Sequence, residues 1–105
     1  MAKPSLREYT LRYLPVAQDD LISIFGYIAQ DSSNRALSFV EKLDKRIGLL
    51  EQHPLLGRVP RHPKLREYGY CVLIVESYLV FYIIRRKTIE VHRVVHGSRN
   101  LDHLI

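Results

Sequence analysis

Residues 70–96 read YCVLIVESYLVFYIIRRKTIEVHRVVH, and their pattern decides the fold. YCVLIV, YLVFYII and TIEVHRVV are rich in β-branched and aromatic residues, and the breaks between them, Glu76-Ser77 and Arg85-Arg86-Lys87, are short and polar. That combination predicts three strands joined by two tight hairpins. In the middle strand Tyr78, Val80, Tyr82 and Ile84 project one way and Leu79, Phe81 and Ile83 the other, so both faces are apolar. A sheet built on such a strand has to be covered on both sides.

Upstream, Tyr9, Leu11 and Tyr13 alternate with Thr10 and Arg12, the period of a further strand. Pro15 ends it and suits the first turn of a helix. Gln18, Asp19 and Asp20 follow where acidic groups favour the positive end of the helix dipole. Leu21, Ile24, Phe25 and Ile28 form a stripe at helical spacing, which predicts a helix over 15–30. DSSN at 31–34 offers N-caps for a second helix over 33–52, whose stripe is Ala36, Phe39, Val40, Leu43, Ile47 and Leu50. So short a connection folds the two helices into an antiparallel hairpin. Between them and the sheet, PLLGRVPRHPKLREYG carries Arg58, Arg61, Lys64 and Arg66 and reads as a basic loop without regular structure.

The order β-α-α-β-β-β predicts an α+β fold: an N-terminal strand and a helical hairpin packed on a mainly antiparallel sheet of about four strands. With 105 residues, one domain spanning 1–105 is expected. Sixteen Lys and Arg against eleven Asp and Glu give a net charge of +5, which favours an acidic partner, whether nucleic acid or protein. The single cysteine, Cys71, lies in an apolar run and reads as a small buried hydrophobe. MAKPSLREYTLRYLP lacks the apolar stretch of a signal peptide, and no run is long enough to span a bilayer, so a cytoplasmic protein with no membrane partner is expected.

His92 and His96 are spaced as two ligands of one metal would be on a helix. On a strand the same residues share a face but lie ~13 Å apart at ~3.3 Å per residue. Bonds of ~2 Å cannot join both to one ion, so no metal is expected, and with no phosphate loop and no Cys/His cluster in the sequence no other cofactor is expected either. Strand alternation places Glu90, His92, Val94 and His96 on one face and Ile89, Val91, Arg93 and Val95 on the other. The second set, being more apolar, should meet the helices, which leaves Arg93 needing a carboxylate partner. His96, where the strand gives way to Gly97, is the more eligible histidine for function. Acid–base chemistry on RNA would need a cleft joining a proton carrier to phosphate-binding cations, and His96 with Arg58, Arg61, Lys64, Arg66 and Arg99 could furnish them. The same basic loop also reads as plain soluble surface.

The helical hairpin, the PLLGRVPRHP loop, the run YCVLIVESYLVFYII and the ending VHRVVHGSRNLDHLI together resemble the RelE/ParE superfamily of toxins from type II toxin–antitoxin pairs. The resemblance covers Tyr9 to Ile105 and is most specific at His96, Gly97, Ser98, Arg99, Asn100 and the final Leu104-Ile105 pair, as in the ParE-like branch. It implies a growth-inhibiting toxin, of the kind that stabilises plasmids, neutralised by a cognate antitoxin whose extended or helical segment covers an apolar groove. Leu79, Phe81 and Tyr82 would contact that antitoxin.

Within the superfamily, resemblance to ParE implies non-enzymatic binding to DNA gyrase or another type II topoisomerase through Arg58, Arg61, Arg66, His96 and Arg99. Resemblance to RelE implies a ribosome-dependent mRNA endoribonuclease using His96, Arg99 and Arg66. Cys71, Val72 and Tyr78 stand where the nuclease branch commonly carries cations, and no tyrosine follows Arg99, so the ParE-like reading leads. A member that binds antitoxin without toxicity and a plain nucleic-acid-binding module are the remaining readings.

Overall fold

A computed structural model describes residues 9–98 and shows a strand β1 (Thr10–Tyr13), helices α1 (Pro15–Ala29) and α2 (Ser33–Gly48), a short helix α3 (Pro63–Glu67), and strands β2 (Cys71–Val75), β3 (Tyr78–Arg85) and β4 (Thr88–His96). Leu14 N–H donates to Val91 O at 3.0 Å, so β1 is fixed on the sheet at the point where Pro15 turns the chain into α1. Ser32 is the cap that starts α2, its hydroxyl accepting from Arg35 N–H at 3.2 Å. The second helix closes in a 3-10 turn at Leu49–Glu51. The hairpin turns hold only two residues each, and their first residues, Glu76 and Arg86, take φ of 54° and 50°. That left-handed backbone matches strand twist but costs an L-residue about 1–2 kcal/mol. Arg85, expected in the second turn, is the last residue of β3. Among the described residues no helix is long and apolar enough to cross a membrane.

The sheet order is β1-β4-β3-β2, with β1 parallel to β4 and the other pairs antiparallel. Tyr82 and Val80 of β3 meet Ala17, Ile24, Leu43, Ile47 and Leu50 of the helices and the 3-10 turn, as the alternation requires. On the opposite face Phe81 is covered by Leu65 and Tyr70. The segment expected to be irregular therefore contains α3, a helix begun by Pro63 whose buried Leu65 is the lid of that second face. Cys71 packs, half-buried, against the helix-side core, and burial pushes its thiol up.

The face assignment along β4 needs correction after Val91. Tyr82 pairs with Val91 and Phe81 with Arg93, so His92 is an extra residue, a bulge that reverses the inward–outward pattern beyond it. Ile89 and Val91 meet the helices, but there Val94 replaces Val95, and Val95 joins Phe81 on the opposite side. Arg93 finds its carboxylate on α1: Nε and Nη2 donate to Asp20 at 2.8 and 3.0 Å, and Val94 N–H donates to the same carboxylate at 2.9 Å. Hydrogen bonding to the Asp20 carboxylate is the main reason that the guanidinium holds its proton more tightly than usual. Asp20, expected to serve the helix dipole, instead joins α1 to β4.

Asp20→Ala strands both the half-buried guanidinium and the Val94 amide, and hydrogen bonds to charged groups are worth about 1.5–3 kcal/mol. A loss of about 2–3 kcal/mol is expected, read as a fall in melting temperature of roughly 10 °C or more. Arg93→Ala should cost less, because it leaves the Val94 amide its acceptor; equal or reversed losses in thermal or urea melts would contradict the assignment.

Candidate functional site

The bulge brings His96 to the helix side, where it meets aromatic residues. Its ring stands edge-on to Tyr78 at 5.3 Å, and Tyr78 packs on Phe39 of α2 at 5.2 Å. Tyr27, near the end of α1, is exposed and completes the wall. These residues line a groove of about 540 Å³ between the start of α2 and the β2–β3 turn, rimmed by Arg35, Ser38 and the Lys42–Glu76 ion pair at 2.5 Å. A second lobe of about 340 Å³ continues towards Asp20, Ser23 and Arg93, with Tyr27, Tyr78 and His96 common to both. Ser98 N–H donates to His96 Nδ1 at 3.1 Å, which places the neutral ring's hydrogen on Nε2. Burial, and Tyr27 secondarily, push the Tyr78 phenol up, so it remains a neutral donor. An aromatic floor between cations and carboxylates suits an apolar segment with polar flanks.

Other residues singled out from the sequence lie elsewhere. Arg58, Arg61 and Arg66 are exposed on the segment containing α3 and line neither lobe. Arg66 Nη2 is engaged with the Arg61 carbonyl at 2.8 Å. Arg99 lies outside the described residues, as do Asn100, Leu104 and Ile105. Tyr82, expected to contact an antitoxin, is fully buried on the helix side, and Phe81 is 2% exposed under Leu65 and Tyr70. Neither offers a face to a partner. Leu79 is half-buried beside its cross-strand partner Ile74, which is exposed. Tyr82 acts inwardly: burial pushes its phenol up to about 12, and the retained hydroxyl hydrogen is donated to Pro54 O at 2.8 Å.

His92 does not share a face with His96. It turns to the opposite side, where Nδ1 lies 2.9 Å from the Tyr70 hydroxyl and Nε2 lies 3.2 Å from Glu90 Oε1. Arg85 Nε donates to the same Glu90 oxygen at 2.8 Å. In the neutral ring Nε2–H serves the carboxylate and Nδ1 accepts from Tyr70, giving a continuous chain of hydrogen bonds from Arg85 to Tyr70. Tyr70 also sits edge-on to both Phe81 and His92, so the chain fastens the α3–β2 segment onto the sheet. Alternation alone concealed this group, because Glu90 and His92 show as neighbours on β4 whereas Tyr70 is brought in by the lid. Among the described residues no cluster of three His, Cys, Asp or Glu side chains could hold a metal ion.

A family model described as ParE toxin of type II toxin–antitoxin system, parDE, matches residues 11–101. Among solved structures, a chain from the chromosomal ParDE TA system of P. aeruginosa aligns with a TM-score of 0.71 at 21% identity, covering 85% of this chain and 96% of that one. A chain of the toxin–antitoxin complex RelBE2 from Mycobacterium tuberculosis aligns with a TM-score of 0.57 at 24% identity, covering 92% of this chain and 100% of that one. At such identities the likeness is one of fold. No curated protein matches by sequence.

The hydrogen bond from Arg85, followed by that from His92, holds the Glu90 carboxyl below its ordinary value of 4.5. A carboxylate with a depressed folded-state pKa stabilises the fold above its unfolded value, and that contribution disappears as pH falls through the folded one. Stability measured by urea melts should therefore decline as pH falls below about 4.5, and Glu90→Gln should flatten that decline while lowering stability at neutral pH. An unchanged slope in the variant would remove Glu90 from this role.

Proposed function

The chain belongs to the ParE toxin family of type II toxin–antitoxin systems, and from that premise we propose that it arrests growth by binding DNA gyrase or a related type II topoisomerase, until a cognate antitoxin neutralises it. The observation that carries this reading is the family match over residues 11–101. Geometry supports binding over RNA cleavage by the residues first considered for it: His96 lies in the groove while Arg58, Arg61 and Arg66 lie on another segment, so these three arginines do not converge on that histidine. The antitoxin supplies an amphipathic segment whose apolar side chains lie on Tyr27, Phe39 and Tyr78 and whose charges meet Arg35, Lys42 and Glu76. Such a segment gains most from burying the aromatic floor, since aromatic side chains dominate interface energetics.

One observation favours the second reading, a ribosome-dependent mRNA endoribonuclease. The Tyr70–His92–Glu90 chain supplies a fixed proton carrier, with Arg85 at its end as a cation. On that reading the catalytic histidine is His92 and not His96.

At micromolar concentration the purified protein should inhibit gyrase supercoiling and raise the amount of cleaved DNA, while messages remain intact in arrested cells. Absence of both gyrase effects, with codon-biased mRNA cleavage that His92→Ala abolishes, would replace the first reading by the second. Tyr27→Asp, at the lip of the groove, should weaken antitoxin binding by about tenfold or more in calorimetry, the scale of losing one interface anchor.

A further inference from the structure

The loop between α2 and β2 is exposed at its tip yet fixed at its base. The hydroxyl of the buried Tyr82 donates to Pro54 O and accepts the Gly57 N–H, at 2.8 and 3.1 Å. A Cβ on Gly57 would stand 2.6 Å from both that hydroxyl and Val72 O, so only glycine fits there. Arg58 then bridges to the edge of β2, exchanging backbone hydrogen bonds with Val72 at 2.9 and 2.8 Å. Pro54, Pro60 and Pro63 restrict the remaining backbone. Despite this anchorage Leu55 is 79% and Val59 63% exposed, and Leu56 is exposed beside them. No Asp or Glu occurs between Gln52 and Arg66, and Arg58, Arg61 and Lys64 meet no carboxylate among the described residues.

A rigid loop that holds three large aliphatic side chains in water is preorganised for docking, since the ordering cost of binding is already met in the free protein. Its composition selects the partner. Phosphate backbones provide nothing to cover Leu55 and Val59, whereas protein interfaces combine an apolar centre with arginine and disfavour lysine. Both cations of the Pro54–Pro63 stretch, Arg58 and Arg61, are arginines. We infer that the Pro54–Pro63 loop is the surface that engages the toxin's growth-arrest target, and that the target presents to it a protein face with an apolar centre ringed by carboxylates. This rests on the reading under Proposed function that arrest works by binding a protein. The loop shares no residue with the groove assigned there to the antitoxin.

The test compares the full-length wild-type chain with Leu55→Asp/Val59→Asp, Arg58→Glu/Arg61→Glu and Tyr82→Phe, using growth after induction, thermal melts, and binding to purified DNA gyrase and to a short DNA duplex. Both double variants should melt like the wild type, fail to arrest growth and bind gyrase about tenfold or more weakly. Tyr82→Phe, which frees the loop without altering its tip, should weaken binding by a smaller factor. If the wild type ignores gyrase but the double variants still lose arrest, the gyrase assignment fails and the loop inference stands. Full arrest by both folded double variants would overturn it. So would an effect confined to the charge variant and matched by an equal loss of duplex affinity, which would make the loop a nucleic-acid surface.

Discussion

The structure depends on the fact that β3 is apolar on both faces. One face can be served by the helical hairpin that precedes the sheet, with Leu43, Ile47 and Leu50 set against Val80 and Tyr82. The other needs a second cover, and the chain supplies it from α3 and Tyr70. The segment from α2 to β2 must therefore pass around the edge of β2 to reach the opposite side. Its exchange of hydrogen bonds with Val72 blunts that edge against pairing with another chain. Tyr82 links the two tasks, its ring filling the helix-side core and its hydroxyl setting where the crossing begins.

The single bulge at His92 does comparable work on β4. Without it, Arg93 and Val95 would face the helices, burying an arginine among aliphatic residues. With it, Val94 enters the core, Val95 closes the far cluster, and Arg93 meets Asp20. β1 pairs only as far as Val91, and just beyond that point the Asp20 carboxylate takes the Val94 amide that no neighbouring strand receives. The same reversal separates the two histidines, so that one joins the aromatic groove and the other a hydrogen-bonded chain on the opposite face.

These two features mark the boundary of what the sequence disclosed. Regular periodicity was legible in outline: α1, α2 and the four strands follow from stripes and alternation, because burial of one face imposes a fixed period on the chain, although Phe25 of the α1 stripe is exposed, Ala17 is buried in its place, and α2 ends at Gly48 before a 3-10 turn. A bulge is a change of phase, and HRVV carries no residue type that announces it. The basic loop was misread in part for a different reason. Its prolines and glycines signal turns, but Pro63 also begins α3, and only the uncovered face of β3 gives Leu65 something to lie on. The groove was partly visible, since His96 stood out where the strand loosens towards Gly97, but Phe39 belonged to a helical stripe and read as core, and Tyr27, off the α1 stripe, carried no signal of its own. Their role at the surface follows from the hairpin overhanging the end of β4, a tertiary fact with no local signature.

The two exposed apolar surfaces differ in charge, and that difference limits what each can accept. The groove mixes signs, with Arg35, Lys42 and Arg93 beside Asp20 and Glu76, so a partner's charged groups find opposite charges at several positions. The loop carries cations alone around Leu55 and Val59, and a basic partner would be repelled over its whole width. Specificity is a difference between affinities and is sharpened by such repulsion. A polybasic segment suited to neither surface is excluded most strongly at the loop, whereas an amphipathic segment with mixed charge is accepted only at the groove. On the proposed reading, a toxin must recognise an antitoxin and a target of different chemistry without confusing them. Placing one site where the hairpin overhangs β4 and the other where the chain rounds β2 lets the same small core support both.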